Sequence, residues 1–173
     1  MNNGMTNIID AHVHYFLRVG EEKRFLSAMD AAEIDRSLLV PLPPLEFKGA
    51  CTAGNEPIYE VCRRHPDRLS FGVFADPREA DALDTVRRFV DLGTKVLKLY
   101  PPLGFFPDDP ACMPMYELAA GLKLPILSPT WGFPGPSTPG TSPPSTPTSV
   151  STLPAADSGP RRCRICTTPS DGR

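Results

Sequence analysis

The chain has 173 residues, enough to bury one core, and a formal net charge of -2. That charge leaves no basic footprint for nucleic acid or an anionic membrane surface, and no apolar run is long enough to span a bilayer. The N-terminus lacks the basic-then-apolar order of a secretory signal, and five scattered cysteines do not suggest a disulfide framework. Composition therefore predicts a protein of the reducing cytoplasm, with no nucleic-acid and no membrane partner.

The first predicted strand is Ile8-Ile9-Asp10-Ala11-His12-Val13-His14. A strand repeats every two residues, so Asp10, His12 and His14 are expected on one face, with the isoleucine pair as the buried body. Two imidazoles on one face of a strand end form half of a site for a borderline metal such as zinc. Glu22 to Ile34 follows as a helix with Phe25, Leu26, Met29 and Ala32 on one stripe. Ser37 to Val40 is a second strand, stopped by Pro41. Asn55 is the predicted N-cap of a helix through Tyr59, Val61 and Cys62, and His65 before Pro66 reads as its C-terminal cap. Leu69 to Ala75 is a third strand, Ala80 to Leu92 a helix closed by Gly93, and Thr94 to Tyr100 a fourth strand. Asp108 and Asp109 read as caps for a helix from Met113 to Leu122, and Leu124 to Ser128 begins a fifth strand. Strands apolar on both faces, alternating with helices, mean a parallel sheet with helical crossovers. Over residues 6–128 this α/β pattern fits about half of a (β/α)8 TIM-type barrel. A doubly wound sheet is the alternative, but no Gly-rich phosphate loop follows the first strand.

The periodicity stops at Ser128. Residues 129–173 are rich in Pro, Ser and Thr and are expected to be a disordered tail. Its Pro136–Pro139 and Pro144–Pro147 spacings lack the flanking basic residue of SH3 ligands, and Cys163-x-x-Cys166 lacks a second ligand pair. A buried strand is an unusual place for a domain boundary. If Pro129-Thr130-Trp131-Gly132 is encoded CCC-ACC-TGG-GGN, a two-base shift reads His-Leu-Gly. A frameshift is thus one expectation for the tail, and selection for a Pro-rich interaction segment is the other. Translating the alternative frames of the DNA downstream of Ser128 separates them.

The segment Ile9-Asp10-Ala11-His12-Val13-His14 resembles the opening motif of the amidohydrolase superfamily, in the amidohydrolase-related branch that includes aminocarboxymuconate-semialdehyde decarboxylase. Three further blocks share the resemblance: Asn55 to Arg68 ending His-Pro-Asp-Arg, Gly93 to Pro102 ending Lys98-Leu99-Tyr100-Pro101-Pro102, and Tyr116 to Leu127. The resemblance implies a TIM barrel, of which this chain carries the N-terminal half. It also implies one or two divalent metals at the C-terminal mouth, zinc first, with manganese or iron as alternatives. On that resemblance His12 and His14 are metal ligands. A third ligand, a histidine, is expected just after the fifth strand, where this chain has Pro129. The eighth-strand aspartate that binds metal and moves the proton has no strand to sit on, and Asp157 and Asp171 in the tail do not supply it. No catalytic residue is therefore assigned.

Some branches carry a carboxylated lysine on the fourth strand that bridges two metals. This branch mostly uses one metal, so Lys98, on a face with Thr94, Val96 and Tyr100, is expected to be structural or to contact substrate. Asp10, one layer deeper than the histidines, is expected to support the site by hydrogen bonding or to be a buried structural partner. The implied function is metal-dependent hydrolysis of a small molecule, with non-oxidative decarboxylation of an aromatic or unsaturated acid as the alternative. From another class, the expectation is a non-catalytic scaffold with a Pro-rich interaction tail. The half-barrel by itself is expected to be inactive and to self-associate through unpaired strand edges.

Overall fold

A computed structural model describes residues 7–43, 46–47 and 50–129 of the chain. The expectations for the tail from residue 130 onward, including its Pro-x-x-Pro spacings, Asp157, Asp171, Cys163 and Cys166, lie outside the described residues. In chain order the elements are β1 (Ile9–Val13), β2 (Phe16–Leu17), α1 (Glu21–Ala31), β3 (Arg36–Leu39), β4 (Glu46–Phe47), β5 (Ala50–Thr52), α2 (Asn55–Arg64), β6 (Leu69–Phe71), β7 (Val73–Phe74), α3 (Ala82–Asp91), β8 (Leu97–Lys98), α4 (Met113–Gly121) and β9 (Ile126–Leu127).

The parallel strands run in chain order. β1 pairs with β3 and β3 with β6, while β7 pairs with β8 and β8 with β9, all parallel. Only Gly72 separates β6 from β7, and it carries the ladder across. Its amide donates to Leu39 O at 2.9 Å on one side, and the next amide, Val73 N, donates to Val96 O at 2.9 Å on the other. The expected third strand from Leu69 to Ala75 is thus two short ladders joined at a glycine. A Cβ on Gly72 would stand 2.6 Å from Val96 Cγ1, so only glycine lets the strands approach this closely. Five strand positions in unbroken chain order contain no reversal of strand order, the feature on which a doubly wound sheet depends. The arrangement is an incomplete barrel, and among the described strands β1 and β9 are its edges.

All four helices pack on one face of these strands. Met29 of α1, Ile58, Val61 and Cys62 of α2, Val86 and Phe89 of α3, and Met115 and Ala119 of α4 join Leu39, Leu69, Phe71, Val73, Leu97 and Leu99 in a single core. Phe71, Phe89 and Tyr59 meet edge-to-face, with centroids 5.5 to 6.4 Å apart. Full burial of a side chain such as Phe89 stabilises by about 1.5–3 kcal/mol, and each ring pair adds roughly 0.5–1.5 kcal/mol. Arg68 stitches the helix layer to the sheet, donating to Asp30 Oδ1 at 2.8 Å, Asp35 O at 2.8 Å and Ile34 O at 3.1 Å.

Several expectations are corrected. α1 ends at Ala31, so Ala32 falls at its cap, exposed and off the core stripe. Gly93 closes α3 with φ of 93°, as its position implies. Asn55 is the first residue of α2, not its N-cap. Its carboxamide instead accepts from Phe74 N at 2.8 Å and donates to Phe74 O at 2.9 Å, acting as a one-residue extension of the sheet beside β7. Ile9, read as buried, is 59% exposed, because β1 is an edge strand among the described strands. A small antiparallel sheet, β2-β5-β4, was not foreseen. Its strands have two or three residues, too few for a period to register, and Phe16↔Thr52 and Leu17↔Cys51 pair across a long stretch of sequence. Cys62 and Cys112 are buried free thiols.

Candidate functional site

The face of the sheet opposite the helices carries the chemistry, and it forms at the C-terminal end of β1. The ladder there is irregular. Asp10 pairs with Ser37 and Val13 with Leu39, so β1 spends three residues where β3 spends two. This bulge follows Asp10 and alters the strict alternation assumed from sequence. Asp10 falls in register with Ser37 and leaves the histidine row, a correction to its expected place. Its Oδ1 accepts from the backbone N of His12 at 3.2 Å, so the carboxylate supports the bulged backbone rather than an imidazole ring.

His12 and His14 do come together. Their Nε2 atoms lie 3.2 Å apart, with the rings edge-to-face. His14 Nδ1 lies 2.9 Å from Val40 O at the end of β3. A carbonyl only accepts, so Nδ1 carries the proton and the His14 Nε2 lone pair is left facing His12. Two imidazole nitrogens bound about 2.05 Å from a tetrahedral ion stand roughly 3.3 Å apart, so this pair has the span of two metal ligands. Val40 O plays the orienting part that a backbone carbonyl commonly plays for a metal-bound histidine. The sequence carries no sign of it, since any residue at position 40 presents the same carbonyl. Among the described residues no group of three or more His, Cys, Asp or Glu side chains is placed to hold a metal ion. The donor set fits half of a catalytic zinc site.

Both histidines are held below their ordinary value of 6.5. For His12 the causes are burial, then His14 and Lys98, with Asp10 opposing; for His14 they are burial and Lys98, with the bond to Val40 opposing. Both are therefore neutral near pH 7, the form that ligates metal. Lys98 lies on β8 at 2% exposure, outside the helix-side core, and its own ammonium is pushed below the ordinary lysine value by burial. Its Nζ lies 5.9 Å from the Tyr100 ring centroid.

The loops above the strand ends are fixed by a pair that sequence reasoning missed. Asp76, 8% exposed just beyond β7, accepts from Arg78 Nε at 2.9 Å and from the second guanidinium nitrogen at 2.6 Å. Arg78 also donates to Leu103 O and Gly104 O, tying the loop after β7 to the loop after β8. The only signal was an Asp-Pro-Arg run after a strand. Away from this mouth, His65 caps α2 and its Nε2 lies 2.7 Å from Glu22 Oε1, while Asp109 caps the turn leading into α4 by accepting from Ala111 N at 2.9 Å.

The fold matches a probable 2-pyrone-4,6-dicarboxylic acid hydrolase from Acinetobacter baumannii with citric acid bound, at 14% identity, TM-score 0.52, over 71% of this chain and 49% of that one. It also matches an uncharacterized TIM-barrel protein from Bordetella bronchiseptica, at 17% identity, TM-score 0.53, over 70% and 54%. A third match is a 5-carboxyvanillate decarboxylase from Novosphingobium aromaticivorans with bound manganese, at 19% identity, TM-score 0.51, over 64% and 34%. This chain thus spans about half or less of the length of these neighbours, which share its fold. No curated protein matches the sequence. No described helix is long and apolar enough to cross a membrane. The profile of the Amidohydrolase family matches residues 9–152, which takes in every described strand and helix, and on that match the chain belongs to the amidohydrolase family.

Proposed function

We propose that this chain is the N-terminal half of a metal-dependent hydrolase of the cytoplasm that acts on a small molecule. Zinc is the first metal expected, with manganese or iron as alternatives. His12 and His14 would hold it through Nε2. When bound, such an ion supplies a water acidic enough to be hydroxide near neutral pH and polarises a scissile carbonyl. The chain's own residues prepare the place: Val40 O fixes the His14 tautomer, Asp10 holds the His12 backbone, and Arg78 sets the loops above. The observation that carries this reading is the 3.2 Å approach of two Nε2 atoms whose ring orientation is fixed from behind. Two histidines are short of the three protein ligands usual in a catalytic zinc site, so the chain as given is expected to be inactive by itself.

The test is metal content and turnover of amide, lactone and carboxylic-acid substrates by the purified chain with added zinc or manganese. The expected result is metal binding that is lost in His12→Ala, without turnover. Metal-dependent turnover that disappears in His12→Ala means that two copies complete a site. No metal binding at any accessible concentration sinks the reading and favours a non-catalytic scaffold.

Non-oxidative decarboxylation of an aromatic or unsaturated acid is the second reading on the same scaffold. Its support is that two structural neighbours are a 5-carboxyvanillate decarboxylase and a 2,6-dihydroxybenzoate decarboxylase complexed with 2,6-dihydroxybenzoate.

A further inference from the structure

The two histidines supply half of a tetrahedral shell, and the strand that carries them is an edge. β1 pairs with β3 alone among the described strands. Ile9, Ala11 and His12 are exposed along it, and His14 beyond its end is half-buried. No lysine or arginine stands on β1, the kind of charge by which edge strands turn away a second chain. Ala11, beside His12, carries only a methyl group, so another backbone can come close. Among the described residues no third His, Cys, Asp or Glu side chain joins the pair. A tetrahedral ion held by two nitrogens 3.2 Å apart therefore keeps two positions to be filled from outside these residues.

We propose that His12 and His14 are one half of a closed, four-histidine metal site shared by two copies of this chain. In a two-fold pair the same patch meets itself, so each copy supplies what the other lacks. Four imidazoles complete the tetrahedral shell, which makes the site structural: it joins chains and leaves no position for water or substrate. Each Asp10 carboxylate accepts from the His12 backbone of its own chain at 3.2 Å, so two copies bring two negative charges to a divalent ion. The assignment rests on the proposed use of these histidines as metal ligands and goes beyond it, giving the metal an assembly role in this chain.

The test follows mass by analytical ultracentrifugation as zinc is added to the full chain, stripped of metal by a chelator and diluted until monomeric. Mass is expected to rise about twofold at roughly one zinc per two chains. In excess zinc it should fall back, because each histidine pair then takes an ion of its own. Cobalt(II) in place of zinc should give the intense visible absorption of a four-coordinate ion at the same ratio. His12→Ala should lose both responses. Cys163→Ser/Cys166→Ser should keep both, since the tail thiols take no part. If strand edges already hold the metal-free chain in pairs, the bound ratio by equilibrium dialysis and the cobalt spectrum carry the test.

One zinc bound per chain with no change of mass overturns the proposal and leaves the metal reading standing. No binding at all removes both, so the two fail separately. Mass that climbs without limit as zinc is added is unspecific aggregation and overturns the shared site. Loss of the response in the double cysteine variant does the same, because it moves the metal to the tail. If His12→Ala does not fold, the cobalt spectrum of wild type decides, and the weak absorption of a six-coordinate ion overturns the proposal.

Discussion

His14 is gripped from two sides, by Val40 O on Nδ1 and by His12 on Nε2, and burial holds both rings neutral. This has a direct consequence for stability. An unfolded histidine takes up a proton at its ordinary 6.5, whereas the folded pair resists it until lower pH, so below 6.5 the unfolded chain binds more protons. The stability these residues contribute is complete above pH 6.5 and is lost as pH falls below it. Thermal melts of the metal-free chain should give a flat midpoint from pH 8 to about 7 and a decline below 6.5. His14→Gln should flatten that decline, and an unchanged profile in the variant would assign the acid sensitivity elsewhere. Glu22 acts lower on the scale: Arg64, then His65, hold its carboxyl down to about 2, so its contribution is complete above 4.5 and is lost progressively as pH falls from there towards 2.

At the scale of elements, Gly72 is where two short ladders become one strand. Its missing side chain is filled by Val96 Cγ1, which would lie 2.6 Å from an added Cβ, with Val96 O at 3.1 Å. Gly72→Ala is expected to destabilise by about 1–3 kcal/mol through overpacking. Adding Val96→Ala should recover part of that loss, since it removes the side-chain clash and leaves only the backbone contact. Denaturant unfolding of the single and double variants measures the coupling, and strictly additive losses would show that the close approach of β7 and β8 is not the cause. The bulge in β1 belongs at this scale too. One extra residue between Asp10 and Val13 moves Asp10 off the histidine row, although His12 and His14 still meet beyond it.

For the whole molecule, the edges dominate. β1 and β9 each have a partner on one side only among the described strands, and Ile9 at 59% and Ile126 at 39% exposure sit on them. Unpaired parallel edges flanked by apolar side chains recruit further strands. Sedimentation of the purified chain should therefore show mass rising with concentration, and Ile9→Lys should reduce it by setting a charge on the edge. A compact monomer with a cooperative melt at all concentrations would contradict this, and would favour a half-barrel evolved as a scaffold.

The sequence by itself determined the alternation of strand and helix, the helix-side core and the histidine pair, because each is written in local periodicity. Apolar residues at helical spacing name Phe25, Leu26 and Met29, which pack in or against the core, and an interval of two brings His12 and His14 to one side. What only the tertiary structure decided depends on residues far apart in the chain. The Val40 carbonyl behind His14, the Asn55 carboxamide on Phe74 and the pairing of Phe16 with Thr52 are contacts between segments whose registry no local pattern encodes. The β1 bulge is of the same kind, since it exists only as a mismatch between two strands. The burial of Lys98 is another such property, because a lysine in a strand carries no sign of what will pack around it.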